Sequence, residues 1–279
     1  MAVPALRFSE PYDFELSTER FRAFGPDLAN LWHDGGLHRV VDGREVRIEA
    51  APGGVRVEPL TPNAEPVVRK LLGGEFELPA FAAFAQNADP VLRRLAAALA
   101  GLRPPLAPDP FEALVTSITA QQVSLRAAFA IRNRLIARLG QPARLAYGFP
   151  SRDRTAAASP HELRALGFSQ RKAENVVALA RSDIDLDALA SLPDEEAKAR
   201  LTALPGIGEW TADWFLARHL ARPHAWPAGD LGLRNAVGSF YHGGRRLSVE
   251  ETRVFGARFA PFQNLSAHYL LTGRRTLTP

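Results

Sequence analysis

The sequence of 279 residues lacks cysteine and contains only three lysines. Without cysteine, the chain has no disulfide bond, no thiolate zinc site and no cysteine-bound iron–sulfur cluster. Long hydrophobic runs are also absent, since no stretch reaches the roughly 18 apolar residues that a membrane-spanning helix needs. The N-terminal segment carries Glu10, Asp13, Glu15 and Glu19, whereas a targeting leader is basic and poor in acids. We therefore expect a cytoplasmic protein that does not enter a membrane.

Charge is divided unevenly along the chain. Residues 1–88 hold 9 lysines and arginines against 13 aspartates and glutamates, whereas residues 89–279 hold 25 against 17. The basic surplus therefore belongs to the later part of the chain, and almost all of it is arginine. Such a surplus attracts phosphates, but a solvated, arginine-rich surface explains it equally well.

Residues 37–60 show the alternation of apolar and charged side chains that is typical of β-strands. Val46 and Ile48 fall on one face, and Arg47 falls on the other. The glycine-bearing turns DG and PGG divide this segment at hairpin spacing. The pattern predicts three short antiparallel strands.

The flanking segments 17–32 and 65–85 are predicted to be helical. Together with the strands, they make residues 1–88 a small α+β domain with a short antiparallel sheet. From residue 89 onward helical patterns follow one another, separated by prolines and glycines. The pattern predicts an all-α region over residues 89–279, so the fold as a whole is mainly α.

The segment from Leu204 to Trp214 reads LPGIGEWTADW. Pro205, Gly206, Ile207 and Gly208 join two predicted helices, and the glycines allow a sharp turn that leaves amides facing outward. Amides at a helix N-terminus bind anions, and a phosphate of the DNA backbone is one such anion. For the motif alone, an ordinary helical hairpin whose glycines only relieve steric crowding is the simpler interpretation.

Four ordered motifs resemble those of the helix-hairpin-helix DNA glycosylase superfamily. The hairpin at 204–208 is followed by Asp230 in the loop HAWPAGDLGL. The segments FEALVTSITAQQVSLRAA (111–128) and PFQNLSAHYLL (261–271), together with an N-terminal PYDF, are similar to the 3-methyladenine DNA glycosylase II branch. The resemblance covers nearly the whole chain. It implies a helical glycosylase region with its active-site cleft between two subdomains, roughly 108–225 and 89–107 plus 226–279.

The resemblance implies a monofunctional DNA glycosylase. Such an enzyme flips an alkylated purine, for example 3-methyladenine or 7-methylguanine, out of double-stranded DNA and hydrolyses its N-glycosidic bond, leaving an abasic site. Asp230 is the predicted catalytic residue, because a carboxylate beside C1′ stabilises positive charge on the sugar and helps to deprotonate water. Helix capping is the alternative role for this aspartate. Relatives that cut the strand use a hairpin lysine where this chain has Trp210, so we expect no lyase activity.

A purine alkylated at N3 or N7 is positively charged and is attracted to aromatic faces. Trp210 and Trp214, four residues apart on a predicted helix, are the expected walls of the base pocket. The resemblance adds Phe262 and an N-terminal aromatic, for which Phe21 is the candidate. Core packing is the simpler explanation of each tryptophan taken alone. Gln122, where the family commonly has leucine, is the candidate that fills the gap left by the flipped nucleotide; a solvated loop residue is the alternative.

We expect no required cofactor, because the lesion itself activates the leaving base. The resemblance implies a monovalent cation at the hairpin, held by main-chain carbonyls near Thr202, Leu204 and Ile207. The seven histidines show no spacing that is typical of a catalytic metal site. The expected partner is double-stranded DNA containing alkylated bases, bound by a monomer. Two alternatives remain: a DNA-binding module that has lost catalysis, and a glycosylase for other damaged or mismatched bases.

Overall fold

A computed structural model describes residues 5–277 and begins with a five-stranded antiparallel sheet. The strands are β1 (Ala5–Arg7), β2 (Leu31–His33), β3 (Gly36–Val41), β4 (Arg44–Ala51) and β5 (Gly54–Glu58), in the spatial order β1-β5-β4-β3-β2. Val41 pairs with Arg44 and Ala51 pairs with Gly54, so both predicted hairpin turns are confirmed. The three predicted strands are β3 to β5, and the structure adds β1 and β2 at the two edges.

Four helices accompany the sheet: α1 (Phe14–Thr18), α2 (Arg20–Ala23), α3 (Ala64–Leu71) and α4 (Leu78–Ala88). The prediction of a helix over 17–32 was wrong in its second half. Helical structure ends at Ala23, the carboxylate of Asp27 accepts the amides of Ala29 and Asn30, and the chain then pairs with β3 as an edge strand. The predicted helix over 65–85 is interrupted after Leu71 by a pair of glycines.

The remaining chain is helical apart from one strand pair. The helices are α5 (Pro90–Ala98), α6 (Pro110–Ala120), α7 (Leu125–Leu139), α8 (Arg152–Ala157), α9 (Pro160–Ala165), α10 (Gln170–Arg181), α11 (Asp194–Thr202), α12 (Glu209–Arg218), α13 (Leu231–Tyr241), α14 (Val249–Gly256) and α15 (Gln263–Thr276). The two-residue strands β6 (Gln141–Pro142) and β7 (Tyr147–Gly148) pair with each other, which the helical pattern did not predict. No helix among residues 5–277 is long and apolar enough to span a bilayer.

The structure buries three main hydrophobic cores. One lies under the sheet, a second joins α6, α7, α10 and α12, and a third joins α4, α5, α13 and α15. The sheet core ends at Leu72, and the third core begins at Phe76. The division at residue 88 stays a prediction, but the packing of α4 favours a boundary before that helix.

A buried charge network joins the sheet domain to the helical region. Glu112 on α6 accepts hydrogen bonds from Arg39 of β3 at 2.7 Å and from Arg132 of α7 at 2.6 Å. Arg132 also pairs with Asp27, and each of these four side chains is at most 8% exposed. Burial acts to raise the pKa of Glu112, but the two guanidinium groups outweigh it and hold that pKa below its usual value.

Candidate active site

The predicted hairpin joins α11 to α12, and its two glycines differ in their structural roles. Gly206 has φ +78, and a β-carbon there would lie 2.0 Å from Nδ2 of Asn175. Gly208 has φ −102, and a β-carbon there would meet nothing within 4 Å. Only Gly206 therefore requires glycine. Ile207 is buried, so its side chain anchors the turn in the helical core.

The hairpin presents free amides at the start of α12. The amides of Gly206, Gly208, Glu209 and Trp210 donate to no backbone carbonyl between residues 5 and 277. Pro205 and Gly208 are exposed beside them. Free amides at a helix N-terminus carry partial positive charge and form an anion-binding site.

The two tryptophans of α12 hold the carboxylate of Asp230. The indole Nε1 of Trp210 donates to Oδ2 of Asp230 at 3.0 Å, and that of Trp214 donates to the same oxygen at 3.1 Å. The backbone amide of Leu233 donates to Oδ1 at 2.9 Å, because Asp230 is also the N-cap of α13. Three N–H groups therefore fix the position of one carboxylate. The sequence predicted that the tryptophans form walls of the base pocket but not that they orient Asp230.

Asp230, Trp210 and Trp214 line one cavity of about 930 Å³. The N-terminal domain contributes Leu16 and Arg20 to it, so the sheet domain helps to enclose the cavity. The junction between α6 and α7 and the last helix supply the other walls. Sequence reasoning therefore found Trp210, Trp214 and Asp230, but it missed Arg218 of α12 and the residues from α1, α2, α7 and α15.

One face of the Trp214 indole is covered by a guanidinium. The Cζ atom of Arg218 lies 3.5 Å from the centroid of that ring. The His268 ring is 5.8 Å from the same indole, and its Nε2 has no hydrogen-bond partner among residues 5–277. Burial lowers the pKa of His268 well below its usual value, and Arg218 and Arg20 lower it further. The imidazole is therefore neutral at physiological pH.

Gln122 projects from the junction between α6 and α7 at the edge of the cavity. It is exposed and has φ +54, an uncommon conformation for a residue other than glycine. Its neighbour Gln121 donates to the carbonyl of Gly206 at 2.9 Å and to Oγ1 of Thr211 at 3.1 Å. Lys172 also donates to the carbonyl of Gln121. The junction is thus attached to the hairpin, a role for Gln121 that sequence reasoning missed.

The structure does not bring the two predicted phenylalanines to this cavity. Phe262 packs against Phe81 and Phe84 in the third core, with ring centroids 5.9 and 5.2 Å away. Leu271 and Thr272, a little later on α15, line the cavity instead. Phe21 belongs to the sheet core and lines an adjoining cavity of about 100 Å³. That cavity shares eight lining residues with the larger one, among them Arg20, Trp214 and Arg218.

The residues predicted to hold a cation lie at the end of α11 and in the turn. Thr202 is the last residue of α11, and the carbonyl of Leu204 accepts the amide of Ile207 at 3.2 Å. A carbonyl oxygen has a second lone pair, so this hydrogen bond leaves room for a cation. Between residues 5 and 277 there is no cluster of three or more histidine, aspartate or glutamate side chains able to hold a metal ion.

Comparison with known proteins agrees with this architecture. The family described as HhH-GPD superfamily base excision DNA repair protein matches residues 115–256. A probable bifunctional transcriptional activator/DNA repair enzyme of Mycobacterium tuberculosis is 36% identical over 194 residues, which are 67% of this chain and 38% of that protein. This chain thus spans well under half of that relative.

Two solved structures are similar in fold. A 3-methyladenine DNA glycosylase from Archaeoglobus fulgidus superposes with a TM-score of 0.89 at 28% identity, covering 99% of both chains. A Schizosaccharomyces pombe 3-methyladenine DNA glycosylase in complex with abasic DNA has a TM-score of 0.62 at 26% identity, covering 70% of this chain and 97% of that one. On the family match over more than half of its length, the chain belongs to the HhH-GPD superfamily of base excision DNA repair proteins.

Proposed function

We propose that this protein is a DNA glycosylase that hydrolyses the N-glycosidic bond of alkylated purines in double-stranded DNA. One observation carries the proposal: the carboxylate of Asp230 is fixed by two indole N–H groups and a backbone amide at the wall of a cavity of about 930 Å³. A helix cap alone needs one oxygen and one amide. The second oxygen, held by both tryptophans, points to a role within the cavity.

The chemistry follows from the charge of this carboxylate. As the bond between C1′ and the base breaks, its electron pair leaves with the base and positive charge develops on the sugar. Asp230 stabilises that charge and helps to remove a proton from the water that attacks C1′. Because three N–H groups hold Asp230 in place before the reaction, little reorganisation is needed as the charge forms.

The lysines favour hydrolysis without strand cleavage. No residue lining the cavity in the described part of the chain is a lysine. Lys198 forms an ion pair with Asp213 at 2.9 Å, and Lys172 donates to the carbonyl of Thr119 at 2.9 Å. A lyase needs a free amine that forms a Schiff base with the sugar. We therefore propose a monofunctional enzyme that leaves an abasic site.

DNA binding is assigned to the hairpin and to the junction beside the cavity. The free amides of Gly206 and Gly208 would contact a backbone phosphate, and a monovalent cation held near Thr202 and Leu204 would add positive charge at that phosphate. Gln122 would enter the base stack when the target nucleotide turns into the cavity. The proposed enzyme acts as a monomer in the cytoplasm and requires no cofactor for the chemical step.

Base release from methylated duplex DNA by the Asp230→Asn variant tests this function. Two unit charges roughly 4 Å apart at an effective dielectric constant of about 20 interact by about 4 kcal/mol. Loss of the carboxylate charge should therefore slow single-turnover release of 7-methylguanine by roughly 10³-fold. The matched control is Asp89→Asn, because Asp89 also caps a helix and accepts an aromatic donor, the hydroxyl of Tyr241, outside this cavity.

The outcomes separate the alternatives. Wild-type protein that binds duplex DNA but releases no base would identify the DNA-binding module. If Asp230→Asn slows base release by no more than about tenfold, Asp230 does not take part in the reaction, because loss of its charge is expected to slow release by roughly 10³-fold. Strand nicking by the wild type without added base or heat would contradict the absence of lyase chemistry.

A further inference from the structure

The cavity contains two arginines that lack a carboxylate partner. The charged residues that line it are Glu19, Arg20, Arg132, Arg218, Asp230 and Arg275. Arg275 is paired with Glu19, and Arg132 is paired within the buried charge network. Among residues 5–277, Arg20 and Arg218 form no ion pair and their side chains donate no hydrogen bond to another residue. Two positive charges therefore face the single negative charge of Asp230.

The environment of this guanidinium pair is poorly solvated. The Nε atom of Arg218 is buried without a partner in the described part of the chain. Burial, together with the neighbouring charge of Arg275, lowers the pKa of Arg20 to about 10. Burial lowers the pKa of Arg218 well below its usual value, and the charge of Arg20 adds to that effect. Buried donors without acceptors are costly, so a ligand that supplies acceptors gains from binding here.

The pair also changes which bases the cavity accepts. Arg218 covers one face of Trp214, so a stacking surface that would attract a cationic ring already holds a cation. A base with a fixed positive charge meets two like charges. An uncharged 6-oxopurine instead presents O6 and N7 together, the acceptor pair that a guanidinium binds with two parallel N–H groups.

We propose that Arg20 and Arg218 bind the acceptor edge of the flipped base and thereby raise the release of uncharged 6-oxopurine lesions relative to that of cationic alkylpurines. The inference rests on the proposed glycosylase function and adds a second substrate class to the alkylated purines. In the reaction, the bond between C1′ and N9 breaks and both electrons stay on the base. The oxygen of water bonds to C1′, and the proton released by that water reaches the base through solvent. The guanidinium groups stabilise the negative charge on the departing base before that proton arrives.

Single-turnover release of hypoxanthine opposite thymine and of 7-methylguanine opposite cytosine tests this inference. Hypoxanthine has free O6 and N7 atoms and no charge, whereas 7-methylguanine has a blocked N7 and a positive charge. In Arg218→Met and in Arg20→Met, the ratio of hypoxanthine release to 7-methylguanine release should fall about tenfold or more relative to wild type, as expected for loss of a bidentate contact. Arg218→Lys keeps the positive charge but loses the two parallel N–H donors of the guanidinium, so its release ratio should lie between those of the wild type and Arg218→Met.

The control is Arg144→Met, because the Arg144 side chain is 74% exposed and does not line the cavity. Its ratio should equal that of the wild type. Melting temperatures of all variants establish that they are folded, and Arg20→Met serves independently if Arg218→Met is unfolded, since the two residues lie on different elements.

Each other outcome has one meaning. If the wild type releases neither base, the proposed function fails. If the wild type releases 7-methylguanine and the methionine variants leave the ratio unchanged, the function stands and the arginine assignment is overturned. If both rates fall equally and binding to an abasic duplex weakens, the arginines contact phosphate rather than the base, which also overturns the inference.

Discussion

Replacing Glu112 by glutamine tests the buried charge network that joins the sheet domain to the helices. Glu112 and Asp27 together neutralise Arg39 and Arg132 in a site where no side chain is more than 8% exposed. The substitution keeps the shape and one acceptor oxygen but removes one negative charge. One buried positive charge is then left without a counter-charge.

The expected loss is large for a change of so few atoms. Removing one partner of a buried ion pair costs about 3–5 kcal/mol, because the remaining charge stays desolvated. For chains of about this size, 1 kcal/mol shifts the melting temperature by roughly 2–4 °C. Glu112→Gln should therefore lower the melting temperature by roughly 6–20 °C.

Thermal unfolding by circular dichroism, repeated from neutral to acid pH, measures both the loss and its origin. The pKa values of Glu112 and Asp27 are held below their usual values, because arginine contacts outweigh the effect of burial. Groups with lowered pKa values stabilise the fold above the pKa of the unfolded state, and that stability is lost as the pH falls through the folded-state pKa. The acid loss should be steeper in wild type than in Glu112→Gln.

Two further variants make the result interpretable. Glu250→Gln removes an exposed ion pair with Arg253 and should barely change the melting temperature. The double variant Glu112→Gln with Arg39→Met leaves one negative and one positive charge, so it should melt higher than Glu112→Gln alone. A single variant within about 2 °C of wild type, or a double variant no better than the single, would refute the charge-balance reasoning.

The remaining predictions concern the hairpin and a buried histidine. Gly206→Ala should destabilise the fold and lower the melting temperature, because its β-carbon would lie 2.0 Å from Nδ2 of Asn175. Gly208→Ala is the control for stability, since a β-carbon there meets nothing within 4 Å, and equal losses of melting temperature in the two variants would contradict this. Burial lowers the pKa of His219 to about 4. Between pH 6.5 and 4 the unfolded chain therefore binds a proton at His219 that the folded chain does not bind, so the free energy of unfolding decreases as the pH is lowered through this range. His219→Gln should make this decrease smaller in denaturant titrations at each pH, and an unchanged pH dependence would mean that the imidazole is solvated.

Local signals in the sequence predicted the elements that depend on neighbouring residues. Val46 and Ile48 are buried on the same face of β4, as the alternation predicted, and the two turns beside that strand are present. The hairpin was predicted because proline and glycine at fixed spacing restrict the backbone directly. Asp230 was placed by resemblance, and its contacts with both tryptophans could not be derived, since they depend on how α12 meets α13.

Contacts between distant segments account for what sequence reasoning missed. Arg20 and Arg218 meet across the cavity although about two hundred positions separate them, and no local pattern marks either one. Phe262 and Leu271 are both apolar residues of the same C-terminal motif, so the motif alone did not show which one faces the cavity. The edge strand β2 forms because β3 offers a partner, and this tertiary effect overrides local helical preference.

The side chain of Gln121 makes the hairpin and the Gln122 junction one mechanical unit. Its hydrogen bonds to Gly206 and Thr211 span the gap between the two segments, and Lys172 holds the backbone carbonyl of Gln121. In the proposed complex, the protein therefore sets the distance between the hairpin amides that contact a phosphate and the inserted side chain of Gln122. Any mismatch between that spacing and a straight double helix is then absorbed as bending of the nucleic acid, which makes flexible base-pair steps beside a lesion easier to process than stiff ones.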